Sequence, residues 1–315
     1  MALIESVDDP NLTVGLSFTA IYAKGESGEW RSVLRWSQRV IDLANGDPLK
    51  GNFIIGSPLA HALTTRAMAR YCLGRPGWQD DVRQALAMGR DTDAVTYVRV
   101  VMYVYLVAIP GGVLAADDRA VREIEAALQV AERSSDDLAL AHARVTLGVA
   151  LVHRPTAPEH HRGQDLLAEV SDVFQRQEHN LAELAIVNVY LARERTRRGD
   201  RDDAIPLMRA ALDDLVREGK VLAWGIPATG VLVETLLERG SDCDVAEAEA
   251  AIERLAAAPA DDGLAVRDIW LLRLRALLAQ AHGDAAAYAH LRDRYRDMAK
   301  TLGFEGHIAW ADAMA

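Results

Sequence analysis

Cysteine, aromatic residues and positive charge are all scarce in this 315-residue chain, and each shortage removes a class of protein. Its two cysteines, Cys72 and Cys243, form no CxxC and offer no zinc-ligand spacing. A disulfide framework and a structural zinc site are therefore excluded, and free small side chains in a reducing cytoplasm are what such usage predicts. Aromatics make up 6% of the residues, while Ala, Leu, Arg, Asp and Glu dominate, which favours helix over a large β-sandwich. Acids outnumber bases 46 to 35, for a net charge of −11, so there is no concentrated basic face of the kind that nucleic-acid binding requires. A long apolar run is missing too. The richest window, Ala94 to Ala108, is interrupted by Arg99 and stops before Pro110-Gly111-Gly112, short of the roughly 20 residues that span a bilayer. Met1 to Leu12 carries acids and Pro10 where a signal peptide would have a basic start and an apolar core. No membrane partner and a cytoplasmic location are expected.

Catalytic signatures are equally absent. Gly219-Lys220 lacks the upstream glycine of a phosphate-binding loop and follows a helix instead of a strand, and no GxGxxG, HExxH or GxSxG occurs. Gly225 to Gly230 (GIPATG) is glycine-rich, but Pro227 suits the first turn of a helix. His160 and His161, with His153 upstream, have no carboxylate or cysteine to complete a metal set and read as surface residues. His61 and His142 lie in apolar helices, as core or groove histidines do; a catalytic base in a helical hydrolase or transferase is the enzymatic alternative. No catalytic residue, metal or cofactor is assigned.

What is present is helical periodicity from end to end. Asp200 to Arg217 places Ala204, Leu207, Met208, Ala211, Leu212 and Leu215 on one face, and Glu29 to Ala44, Asp117 to Arg133 and Asp284 to Leu302 repeat the pattern. Between such segments lie helices apolar nearly all round: Leu138 to Val152, Leu184 to Ala192 and Ile269 to Ala281. A helix of that kind must be covered on several sides, so the alternation requires two layers of stacked hairpins. Gly28-Glu29, Gly199-Asp200 and Gly283-Asp284 punctuate the series, each glycine ending one helix and each acid starting the next. Gly199, Gly240 and Gly283 fall about 40 residues apart, longer than the roughly 34-residue tetratricopeptide unit. The fold expected is all-α, a right-handed superhelical solenoid of about seven tetratricopeptide-like hairpins, forming a single domain over 1–315.

Thr96 to Ile109 (TYVRVVMYVYLVAI) is rich in β-branched and aromatic residues and taken alone resembles a strand. Its length and the lack of a partner strand favour helix. Arg193 to Arg198 (RERTRR) is the densest basic run; it complements a helix C-terminus, or else forms a docking patch for an acidic partner. Among the six tryptophans, Trp30, Trp78 and Trp270 lie where repeat packing holds them. Trp36 falls off the main apolar stripe of its helix, and Trp224 stands directly before the Gly225-Ile226-Pro227 break. Large aromatics in such places suit a ligand groove as well as packing between repeats. Trp36 and Trp224, with Asn188 as a polar group on an enclosed helix, are the candidate ligand- or partner-binding residues.

Four stretches carry a resemblance: Cys72 to Trp78 (CLGRPGW), Ile205 to Ala211 (IPLMRAA), Gly225 to Gly230, and the closing Tyr295 to Ala311 (YRDMAKTLGFEGHIAWA). Together they look like the C-terminal helical-repeat region of large actinobacterial class III adenylate/guanylate cyclases. In that family a cyclase domain and a P-loop ATPase precede tetratricopeptide-like helices. The resemblance implies a fragment or a stand-alone relative of such a protein. No position here matches the catalytic carboxylates or the ATP-binding lysine of the upstream domains. The implied role is a non-catalytic regulatory scaffold, binding a protein segment or small effector in its concave groove and controlling an attached cyclase or ATPase. The alternatives are a purely structural oligomerisation scaffold, for instance a homodimer, and the sensor arm of an ATPase-type transcriptional regulator.

Overall fold

The computed structural model describes residues 4, 8–53, 56–177, 181–261 and 263–314, and among them are fifteen α-helices and no strand. In chain order these are α1 (Pro10–Glu26), α2 (Trp30–Ala44), α3 (Pro58–Cys72), α4 (Trp78–Thr92), α5 (Ala94–Ala108), α6 (Asp118–Arg133), α7 (Asp137–Leu151) and α8 (Ala157–Gln177). After these come α9 (Leu181–Arg197), α10 (Arg201–Arg217), α11 (Gly225–Arg239), α12 (Asp242–Ala257), α13 (Ala265–Ala281), α14 (Ala285–Leu302) and α15 (Glu305–Ala313). None of the described helices is long and apolar enough to cross a membrane.

The punctuation in the sequence is what sets the helix ends. Asp9, Ser57, Asp93, Asp117, Asp136 and Ser241 each accept a backbone N–H of the following first turn on a side-chain oxygen, satisfying donors a helix start leaves free. Gly28, Gly199 and Gly283 all take positive φ, at 74°, 100° and 75°, where side chains with a Cβ are disfavoured. Neighbouring helices pack as hairpins in two layers. α7 buries eleven of its fifteen residues, whereas α6 buries only Ala120, Ile124, Ala127 and Ala131 along one stripe. The same contrast separates α3, α5, α11 and α13 from their amphipathic partners. The expected solenoid of helical hairpins is thus the observed architecture.

The strand-like segment is α5. Val98, Val100, Val101, Val104 and Leu106 are all buried, and the burial outweighs a helix-propensity deficit of at most about 0.7 kcal/mol per residue. Cys72 is buried at the end of α3, and Cys243 is exposed at the start of α12.

The stack also folds back on itself. The N–H groups of Glu305 and His307 donate to the carbonyls of Val113 and Gly112, each at 2.9 Å. His307 then lies against Gly111 O (3.0 Å) and the Tyr295 hydroxyl (2.9 Å). Gly112 has φ +70°, and a Cβ there would come within 2.6 Å of Trp310, so only glycine fits. At the other end, the start of α2 and the turn before it meet the linkers before α11 and α13: a Cβ on Gly28 would stand 2.5 Å from Leu222, and Arg31 N donates to Asp261 at 2.9 Å. One buried apolar cluster accordingly runs from Val14 to Ala311.

Candidate ligand-binding cavity

These returns bring residues from both halves of the chain around one cavity. Tyr22 and Glu26 come from the last turns of α1, Trp30 and Val33 from α2, and Met68 and Tyr71 from α3. Met102, Tyr103, Leu106 and Val107 enter from α5, Glu183 from the first turn of α9, and Trp224 with Ile226 and Pro227 from the start of α11. The cavity between them is small, about 60 Å³. The walls therefore stand close together, leaving a slot for a few waters or a slender group.

The walls are apolar and aromatic, and the polar atoms in them are unusual. Trp30 Nε1, Tyr71 Oη, Glu26 Oε2 and Glu183 Oε2 are buried without a hydrogen-bond partner, and all four residues line this cavity. A buried polar atom left unpaired costs about 1–3 kcal/mol, so four around one space mark a place built to receive hydrogen bonds. The remaining polar contacts hold the carboxylates in position. Trp224 Nε1 donates to Glu26 Oε1 at 3.2 Å, and Tyr22 lies near enough to Glu183 for the two to act on each other's titration. Lys220 Nζ lies 3.8 Å from Glu26 Oε2, beyond hydrogen-bond reach, while donating to Glu218 at 2.7 Å.

Burial dominates the electrostatics. Desolvation pushes the Glu26 carboxyl above its ordinary range, although the Lys220 charge and the Trp224 hydrogen bond oppose it. Glu183 is raised to about 7, first by burial and then by the charge of Glu26. Near neutral pH Glu183 is therefore close to half protonated. Burial also raises the hydroxyls of Tyr22, Tyr71 and Tyr103, which stay protonated as donors.

Of the candidates proposed from sequence, Trp224 is in the cavity wall, 6% exposed, with its indole nitrogen on Glu26. Trp36 is elsewhere. It does not lie off the buried face of α2 but within it, 2% exposed among Val33, Ser37 and Val40, with the Arg39 guanidinium over its ring at 5.2 Å. The apolar stripe drawn from sequence is too narrow, because α2 buries a wider arc than one helical row. Asn188 is half-buried on α9 and is not a lining residue. Trp30, assigned to repeat packing, is packed in the buried core and also lines the cavity, and Trp78 packs edge-on against Tyr71 and Phe304.

The other polar features are tied into packing. Arg197 bonds Glu194 at 2.8 Å and reaches His160, Arg198 bonds Gln164, and Arg193 lies 6.0 Å from the Tyr190 ring centre. His61 sits against the rings of Phe18 and Tyr103 at 5.0 and 6.1 Å. No group of three or more His, Cys, Asp or Glu among the described residues is placed to hold a metal ion. Sequence patterning does not single out Glu26 or Glu183; in a chain with 46 acids nothing local distinguishes them.

No protein-family model and no curated protein sequence matches the chain. Solved structures do match. The structure of Rap protein complexed with Competence and Sporulation Factor aligns with a TM-score of 0.64 at 12% identity, over 95% of this chain and 80% of that one. A tetratricopeptide repeat protein from Parabacteroides merdae ATCC 43184 aligns with a TM-score of 0.46 at 11% identity, over 92% of this chain and 99% of that one. At 12% identity the likeness to Rap protein is one of fold: a tetratricopeptide-like stack of helical hairpins.

Proposed function

We propose that this chain is a non-catalytic regulatory module, a single helical-repeat unit whose central cavity binds a protein segment or small effector. The observation that carries this reading is the convergence of four buried polar atoms lacking hydrogen-bond partners on one aromatic-walled space. That Rap protein, of the same fold, is seen in complex with a factor supports it. An occupant would touch α1, α2, α3 and α5 together with α9 and the start of α11, and so would tie the first hairpins of the superhelix to later ones. In a repeat stack each hairpin contacts its neighbours, so a small change at that junction alters curvature along the whole array. The partner that reads the change is, by the resemblance of the closing segment, an attached nucleotide cyclase or ATPase.

The test is a thermal-shift and tryptophan-fluorescence screen of short apolar peptides and of aromatic amines, alcohols and acids. Saturable responses are expected for some members. They should weaken in Trp224→Ala, which removes part of the wall and the donor to Glu26, while circular dichroism stays native. A screen with no saturable response, or responses unchanged in that variant, would defeat the reading.

One observation favours a second role. Leu12, Leu16, Leu49 and Phe53 are exposed by 36–60% near the start of the chain. Such a group suits an oligomer contact, and light scattering of the wild type against Phe53→Ser distinguishes a dimer that uses it from a monomer.

A further inference from the structure

If the cavity is a binding site, as proposed, its chemistry narrows the kind of molecule it takes, and the narrowing rests on that role. Two carboxylates, Glu26 from α1 and Glu183 from α9, face the same narrow space, each with Oε2 lacking a hydrogen-bond partner. Glu183 is 3% exposed, so its free oxygen addresses the cavity and not solvent. Five aromatic side chains, Tyr22, Trp30, Tyr71, Tyr103 and Trp224, share the wall. An anionic ligand would set its own charge against two carboxyl groups. A purely apolar one would leave both carboxylate oxygens, the Trp30 N–H and the Tyr71 hydroxyl unsatisfied. A hard divalent cation wants six or more oxygens, which this wall does not supply. An organic ammonium meets every requirement: its N–H donors satisfy the carboxylates, and its charge is favoured beside aromatic faces. The Trp30 N–H, a donor without an acceptor, calls for an acceptor atom on the same ligand.

We propose that the cavity binds a primary ammonium group carried on an apolar body with a nearby acceptor, the ammonium seated between Glu26 and Glu183. A free aromatic or aliphatic amine has the first two features. The N-terminus of a short apolar peptide has all three, with the first carbonyl as acceptor. A compact ammonium also suits the narrowness of the slot better than a planar guanidinium does.

Four probes test this by isothermal titration: 2-phenylethylamine, its neutral isostere 2-phenylethanol, leucyl-phenylalaninamide with a free N-terminus, and the same dipeptide N-acetylated. The amine and the free dipeptide are expected to bind at least about tenfold more tightly than their uncharged counterparts. Glu183→Gln and Glu26→Gln should each cancel most of that preference for charged over uncharged probes. Both substitutions keep shape while removing the charge and turning one acceptor oxygen into an N–H donor, and far-UV circular dichroism checks folding. Preference for the dipeptide over the amine assigns a peptide N-terminus as the source; the reverse assigns a free amine. Equal binding of charged and uncharged members, or a preference that survives both substitutions, overturns the ammonium assignment while leaving a binding cavity. No binding by any of the four overturns both.

Discussion

Glu183 sits in an environment far from the one its residue type ordinarily occupies. Its carboxyl titrates near 4.5 in an unfolded chain and at about 7 in the folded protein, because burial and the Glu26 charge disfavour its anion. Between those values the folded protein holds a proton that the unfolded chain has released. The stability tied to this group is therefore fully present below about pH 4.5 and is lost as pH rises to about 7, a loss of roughly 3 kcal/mol. The groups acting on it are Tyr22 and Glu26 of α1, together with Lys220, and it in turn raises Tyr103 of α5. Buried histidines act in the opposite sense. Burial lowers His142 to about 4, His153 to about 3 and His307 well below its usual value, so these rings lose stability as pH falls below about 6.5. The difference between wild type and Glu183→Gln isolates the carboxyl. In urea denaturation the variant is expected to be more stable by about 2–3 kcal/mol at pH 8 and about equal at pH 4.5. A difference that does not change with pH would show that Glu183 is not desolvated as described. None of this can be read from sequence, where Glu183 is one acid in the first turn of a helix, the ordinary place for one. Trp224 is legible because the break after it leaves a large ring at an element end; Trp30 is not, because its apolar stripe explains it fully.

At the scale of the element, α5 is where local preference and tertiary context disagree. Its β-branched run argues for a strand, and the helix is held by its cap as well as by burial. Asp93 accepts Thr96 N on Oδ1 at 2.8 Å and the Thr96 hydroxyl on Oδ2 at 2.7 Å, while Thr96 Oγ1 accepts Ser57 N at 2.8 Å. One side chain thus secures the start of α5 and, through Thr96, the start of α3. Asp117 is the control: it caps α6 through a single bond to Ala120 N at 2.8 Å, on a helix with good intrinsic propensity. Asp93→Ala is expected to cost about 2 kcal/mol or more and Asp117→Ala about 1 kcal/mol in denaturant titrations. Equal losses would mean that the linked Thr96–Ser57 contact adds nothing. The consequence reaches the site, since α5 supplies Met102, Tyr103, Leu106 and Val107 to the cavity wall. The helices themselves are legible almost throughout, because periodicity and Gly-acid punctuation are local signals. Which helices share a cavity is a property of how the hairpins return on one another, and no local signal carries it.

That return is a property of the whole molecule. An open repeat stack has only neighbour contacts, and its ends open independently of each other. Here α15 is clasped to the loop after α5: His307 Nε2 meets Gly111 O across 196 residues of sequence, and Trp270 Nε1 donates to the same carbonyl at 3.3 Å. Gly111 also lines the cavity, so the clasp and the ligand space share a wall. From sequence, Pro110-Gly111-Gly112 signifies only the end of a helix, and the closing segment only a resemblance; their partnership needs both ends of the chain in one place. His307→Ala removes the contacts to Gly111 O and Tyr295 and leaves a void among Trp270, Phe304 and Trp310, a loss of about 3–4 kcal/mol. Hydrogen exchange should then rise in α14, α15 and residues 111–113. It should also rise at the distant cavity walls, in the last turns of α1 and the first turn of α11, while α6 keeps its protection. The buried stripe of α6, Ala120, Ile124, Ala127 and Ala131, belongs to a separate apolar cluster. Faster exchange confined to α15 would mean that the closure is a local cap. Spread to α1 and α11 is the pattern required if an occupant of the cavity and the curvature of the stack are to control each other.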